Sequence, residues 1–453
     1  MKQHSACSKS RVRAAVAVVL APLLGACAGR QVGPETQGPD TIRVDVTDTT
    51  VQVGGGMTPE LMGTLLRQVT DAVDEGAQIR LLPGRYVLTP VPFVDTTCGN
   101  CEDASEDVPA TYGLRISGER VRLIGDHADS VVIETHAGYG ILFEDCRGCE
   151  LVGVTVTAGV RDPDGRATDA AVVVRNSDVV LRDCVLRDNL GDSAIVQSNT
   201  VGIAGIAGRE NSHIDVERCR IERNSWDGIA LYRGASARIH DNVIDGVDKA
   251  RGRQSGGGRG VGIGLTWDAQ ADIVGNRVTR YWKGIGVFVD ASATIRENVV
   301  EDVLTWGIAF WSAARGAPVA RISGNAVYRT GACGVMISAE APPEDSTARA
   351  PLGQPVSRAG GNLIGNAIAR TAQDERYDDG ATYCTQAPLA LDGVPPAFVI
   401  RENLFFDNRQ PGAASPVPQL ARRDFERGIA PILDRLRAWE STRESDFVEE
   451  FGE

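Results

Sequence analysis

The chain has 453 residues, 42% hydrophobic and 24% charged, with 51 glycines and only 5% aromatics. This balance excludes a long disordered chain and a polytopic membrane protein and suits a turn-rich β protein. A formal net charge of -13 excludes a general attraction to nucleic acid, which needs a basic surface.

The first predicted element is an address. Lys2, Lys9, Arg11 and Arg13 form a basic stretch, and Ala14–Leu24 is an apolar run too short to span a bilayer. It ends in Leu24-Gly25-Ala26-Cys27, which resembles the bacterial lipobox. That resemblance implies a signal peptide over 1–26 and a lipid on Cys27. With Ala28 and Gly29 following, it also implies anchoring at the outer membrane; the plainer reading is a cleaved signal peptide. Residues 27–42 read as a flexible tether, and Thr58–Glu75 as an amphipathic helix. Export sets an oxidising compartment, so Cys98-Gly99-Asn100-Cys101 and Cys146-Arg147-Gly148-Cys149 are expected to be disulfides in preference to a four-thiolate zinc site.

From about residue 121 a short pattern recurs, indexed on Cys184, Cys219, Asn242, Asn276, Asn298, Asn325, Asn366 and Asn403, with the shortest steps near 22 residues. Three residues before each index lie Leu181, Val216, Ile239, Ile273, Ile295, Ile322, Leu363 and Ile400. Two residues after lie Leu186, Ile221, Ile244, Val278, Val300, Val327, Ile368 and Phe405. Both columns face a core, and the charged residues between them face water. A second apolar stretch follows, as in Gly228-Ile229-Ala230-Leu231 or Gly284-Ile285-Gly286-Val287, so each unit is three short strands and three bends. Such a unit cannot close its own core and must stack on its neighbours, which puts each index Asn over the next as an amide ladder. Near the end, Leu420–Trp439 carries Ile429, Ile432, Leu433, Leu436 and Trp439 at helical spacing, a lid for the last coil.

Over residues 43–410 this organisation resembles the pectin-lyase-like class of right-handed parallel β-helix proteins. The resemblance implies an all-β solenoid of about ten coils. Thr58–Glu75 becomes its capping helix, Ile79–Tyr86 its first strand and turn, and residues 411–453 a linker and C-terminal helix. It also implies a ligand groove along the strand column equivalent to Gly228–Tyr232. Alternation gives the outward residues of that column: a small first position (Ala230, Gly264, Gly286, Ala309, then Met336) and a second of Tyr232, Thr266, Phe288, Trp311 and Ser338. Trp226, Trp282 and Trp306 stand on the opposite bank. Aromatics on both banks of a narrow floor suit sugar rings; the bland reading is that the three tryptophans pack under long loops.

Elimination or hydrolysis on an acidic polysaccharide needs carboxylates or bound calcium and a cationic base. The candidates are Asp227, Arg280, Lys283, Glu301 and Asp302, with Asp192, Arg223, Asp268 and Asp290 beside them. Against them, the column Asp188, Arg223, Gly246, Arg280, Asp302, Arg329 and Arg370 alternates in sign like a surface ion-pair ladder. The basic insert Asp248–Gly260 reads as a clamp for a uronate or phosphate-bearing glycan, or as a surface loop. No histidine pair has metal spacing, so no metal site is expected beyond the calcium option.

The leading expectation is therefore a lipid-anchored monomer that binds a polysaccharide or cell-wall glycan along the groove. If catalytic, it would be a polysaccharide lyase, glycoside hydrolase or uronan epimerase. The alternative is a non-catalytic periplasmic accessory or scaffold protein that binds a partner protein.

Overall fold

Left-handed backbone recurs one residue before the index positions: φ is 61° at Asp241, 65° at Gly275, 59° at Glu297 and 64° at Gly324. This bend separates a longer strand such as Ser292–Arg296 from a short one such as Val299–Glu301. A second left-handed residue, as at Arg280 (58°) or Asp302 (51°), ends the short strand. The chain then enters a third strand such as Lys283–Phe288 or Trp306–Trp311. Stacked rung on rung, these build one sheet of 12 strands and two of 11, every pairing parallel except the hairpin of Val91–Asp95 with Val108–Glu119. The molecule is a right-handed parallel β-helix. The computed structural model describes residues 50–73, 75–101, 103–191, 201–247, 260–339, 358–378, 384–437 and 444–452. Cys27, the tether, Asp192 and the basic insert up to residue 259 lie outside the described residues.

The register stacks like on like. Leu181, Val216, Ile239, Ile273, Ile295, Ile322, Leu363 and Ile400 form one unbroken Cα column. Leu186, Ile221, Ile244, Val278, Val300, Val327, Ile368 and Phe405 form another. Both columns belong to a single apolar core running the length of the coil.

The index asparagines form the expected ladder at the edge of that core. Nδ2 donates to the next Oδ1 from Asn242 to Asn276 (2.9 Å), Asn276 to Asn298 (3.0 Å), Asn298 to Asn325 (3.0 Å), Asn325 to Asn366 (2.9 Å) and Asn366 to Asn403 (2.9 Å). The second Nδ2 hydrogen goes to a carbonyl one coil back, as from Asn276 to Ile239 at 2.8 Å, and the oxygen of Asn298 also takes the Asn276 backbone N–H at 2.9 Å. Every buried polar atom of the amide is thereby used. Cys219 ends the ladder by substitution: its N–H donates to Asn242 Oδ1 at 2.8 Å, and its thiol faces the Leu181 carbonyl at 3.6 Å.

The helix Pro59–Ala72 closes the N-terminal end. Thr58 caps it by accepting the Leu61 N–H at 3.4 Å, and Met62 and Leu66 join the main core. At the other end the structure differs from the expected lid. The helix Arg422–Arg437 and a shorter one, Asp446–Phe451, lie against the outer face of the short-strand sheet. There Phe425, Ile429, Leu433, Phe447 and Phe451 form a second apolar cluster with Val299, Ala326 and Tyr328. Trp439 lies outside the described residues. Both CxxC pairs are disulfides, with Cα–Cα separations of 5.4 Å for Cys98–Cys101 and 6.1 Å for Cys146–Cys149.

Candidate functional site

The third strand of each rung presents its outward residues as two columns. Ala207, Ala230, Gly264, Gly286, Ala309 and Met336 are the floor, in continuous register. Phe288, Trp311 and Ser338 stack in the second column. A third line stands on the near bank, where Val261, Lys283, Trp306 and Cys333 are paired rung by rung. Asp227 lies one rung before Val261, whose N–H donates to Asp227 Oδ1 at 2.6 Å. Asp227 and Lys283 are thus on one bank, two rungs apart, or about 10 Å at the usual strand spacing.

Two adjoining cavities open over this floor. One, of about 260 Å³, is lined by Trp226, Asp227, Tyr232, Trp282, Lys283 and Phe288 among others. The other, of about 120 Å³, shares Asn100, Trp226, Asp227 and Tyr232 with the first and adds Thr168 and Asp169. Asp227 is 6% exposed. Gly260 is required beside it, since a Cβ there would stand 2.0 Å from Asp227 Oδ1.

Burial controls the ionisation of the groups at the site. Loss of hydration pushes the Asp227 carboxyl up to about 7, opposed by the Val261 N–H, the charge of Lys283 and a hydrogen bond from the Tyr232 hydroxyl. Burial likewise brings the Lys283 ammonium down to about 8, with attraction to Asp227 working the other way. Lys283 Nζ sits 4.5 Å from the centroid of the Trp306 ring. Tyr232 is held well above the usual phenol range by burial and by the neighbouring Asp227 charge. The site therefore places a carboxyl, an ammonium and a phenol, the first two titrating near neutrality, against one cavity.

Of the residues expected from sequence, Trp226, Asp227, Tyr232, Trp282, Lys283 and Phe288 come together here. Trp226 is half-buried, whereas Trp282 is 8% exposed and offers the cavity little ring surface. Trp306 is 2% exposed and packs with Tyr377, Cys333 and Cys384, so it supports Lys283 and is not available for sugar stacking. Trp311 is half-buried beyond Phe288, edge-on to Trp306 with ring centroids 5.8 Å apart.

Arg280, Glu301 and Asp302 do not converge with Lys283. Arg280 Nε pairs with Asp245 at 2.6 Å, and Arg329 pairs with Asp302 at 2.6 Å, on the bend after the short strand. That bend is the ion-pair ladder, extended by Arg223 with Asp188 at 2.8 Å. Glu301 is on the short-strand sheet beneath the C-terminal helix, held by Arg277 at 2.6 Å, Ser445 Oγ at 3.1 Å and the Phe447 N–H at 3.1 Å. Alternation identifies an outward residue but not what docks on it. A wider depression of about 520 Å³ lines this bend with Asp302, Arg329 and Asp374, but these side chains are engaged in ion pairs.

Sequence reasoning missed Asp169 and Asn100. Asn100 comes from an insertion outside the repeat, where no periodicity points to it, whereas Asp169 stands just before the strand Ala170–Arg175, in phase with Trp226 two rungs on, in a rung that precedes the indexed copies. Asp169 is buried, with Oδ2 taking the Asp162 N–H at 2.7 Å, and burial raises its carboxyl to about 7. Among the described residues no group of three or more His, Cys, Asp or Glu is placed to hold a metal ion.

A family described as "Right handed beta helix region" matches residues 120–278. No curated protein matches the chain. Among solved structures, a mutant of a periplasmic alginate epimerase is similar at 12% identity and a TM-score of 0.43, covering 66% of this chain and 64% of that one. The catalytic domain of a GH87 α-1,3-glucanase, in complex with tetrasaccharides, is similar at 11% identity and a TM-score of 0.31, covering 82% of this chain and 71% of that one. A DFA-IIIase from Arthrobacter chlorophenolicus A6 is similar at 12% identity and a TM-score of 0.37, covering 82% of this chain and 99% of that one. At such identities each is a likeness of fold alone.

Proposed function

We propose that the trough binds a glycan and that Asp227, Tyr232 and Lys283 move protons on it, in a reaction that cleaves or epimerises the sugar chain. The observation that carries this reading is the sharing of one cavity by a buried carboxyl and a half-buried ammonium, each drawn toward neutrality. A carboxyl near 7 serves as acid or base at physiological pH, and a lysine near 8 is deprotonated often enough to act as a base. The Trp226 face and the small floor residues supply the desolvated surface on which a sugar ring packs.

The test is retention on a panel of immobilised acidic and neutral glycans, with turnover assayed on the retained one. Trp226→Ala is expected to lose retention, while Asp227→Asn keeps retention and loses turnover by about a hundredfold or more. Unchanged retention by Trp226→Ala on every gel would overturn the assignment of this trough.

The lipobox supports a second part of the proposal, that Cys27 carries the lipid and holds the protein at the outer membrane. The two disulfides fit the oxidising side of a membrane. Labelled palmitate is expected in the wild-type chain and not in Cys27→Ala; equal labelling of the two would remove the anchor.

A further inference from the structure

The trough is stopped at both ends. Toward the C-terminus Phe288 folds back over its own rung, its ring atoms standing 2.1 Å and 2.3 Å from where a Gly286 Cβ would be. The ring thus fills the floor position that Gly286 leaves empty. Trp311 backs it edge-on with centroids 6.3 Å apart, and the next floor residues, Ala309 and Met336, are buried with Tyr377 and Cys384.

Toward the N-terminus the disulfide segment makes a roof. The earlier floor residues Leu142 and Val173 are fully covered in an apolar cluster with Cys98, Val108 and Ala167. This roof is pinned across the coil. Arg209, 0% exposed, donates to the Thr97 carbonyl at 2.8 Å and to Thr97 Oγ1 at 2.6 Å, and pairs with Asp95 at 3.0 Å. Arg233 Nε adds a bond to the Cys98 carbonyl at 3.3 Å.

Between the stops the floor residues lining the cavities are Ala207, Ala230 and Gly264. From Ala207 to Gly264 is two rung steps, about 10 Å at the usual strand spacing, room for roughly two pyranose rings end to end and part of a third. Resting on the glycan reading above, we infer that this site takes a chain end or a short oligosaccharide, and not the interior of a long polymer. The end stop is Phe288 on one side and the Cys98–Cys101 segment on the other. Asp227 and Lys283 then act on the terminal unit, or on the bond next to it.

The experiment measures affinity of the full chain for size-graded oligosaccharides of polygalacturonate, mannuronan and dextran, from disaccharide to octasaccharide, and for cyclodextrins, which have no ends. Affinity is expected to rise up to the trisaccharide and to change by less than about twofold beyond it, with cyclodextrins unbound. In Phe288→Ala the rise is expected to continue past the trisaccharide; Phe288→Leu, which keeps an apolar plug of smaller size, guards against a folding defect in the alanine variant and should extend the rise partially. Wild-type affinity climbing steadily to the octasaccharide, or tight binding of a cyclodextrin, overturns the end-stop inference while leaving glycan binding intact. Failure of every saccharide to bind overturns the glycan reading and this inference with it.

Discussion

Asp227 is held by one backbone N–H and one phenol, yet these do not recover the hydration that its carboxylate loses in a site 6% exposed. Its carboxyl is raised from 3.8 to about 7, so the folded state binds the proton more tightly than the unfolded chain. The sign follows: the stability linked to this proton is fully present below the unfolded value and is lost as pH rises through about 7. Asp227→Asn removes the ionisation and keeps the acceptor for Val261. The variant is expected to be more stable than wild type near pH 8, by roughly 2 to 4 kcal/mol, and equal to it near pH 4. Urea unfolding at the two pH values checks this, and a difference independent of pH would refute it. Asp169, raised to a similar value, leaves a residual slope in the variant. Lys283 acts in the opposite range, its linked stability falling as pH drops from the ordinary lysine value of 10.5 toward about 8.

Strands in this protein are specified by what stacks on them. An asparagine in the middle of the ladder serves both neighbours: Asn298 Oδ1 accepts from the backbone and side chain of Asn276, while its Nδ2 satisfies Ile273 O, Arg296 O and Asn325 Oδ1. Asn298→Ala leaves several of these groups buried and unpaired. The expected loss is about 3 kcal/mol or more. Asn403 is half-buried at the end of the column, so Asn403→Ala should cost about 1 kcal/mol. Equal losses in chemical denaturation would show that the ladder does not behave as a buried chain of amides. The ladder and both aliphatic columns were legible because identical residues recur at one phase of the repeat. The C-terminal helix was legible as amphipathic, but its partner surface was not. Nothing in its own periodicity says whether its apolar stripe covers the last coil or the flank around Val299 and Tyr328.

At the scale of the whole molecule, contacts divide into those between successive rungs and those that cross the coil. The first kind repeat. Parallel strands stack in the register that superimposes their aliphatic columns, and a slip by one residue would turn aliphatic side chains out and charges in. The alternation of the sequence by itself therefore determined the three-sheet coil, its core columns, the inward amides and the bank carrying Trp226, Asp227 and Lys283. The second kind do not repeat, and only the tertiary structure decided them. It paired Arg280 with Asp245 and buried Glu301 beneath Ser445 and Phe447. It also laid the Phe288 ring over Gly286 and brought Arg209 to Thr97, more than a hundred residues away in the chain. Such contacts depend on the shape of single side chains and on where long insertions dock, and neither leaves a period in the sequence.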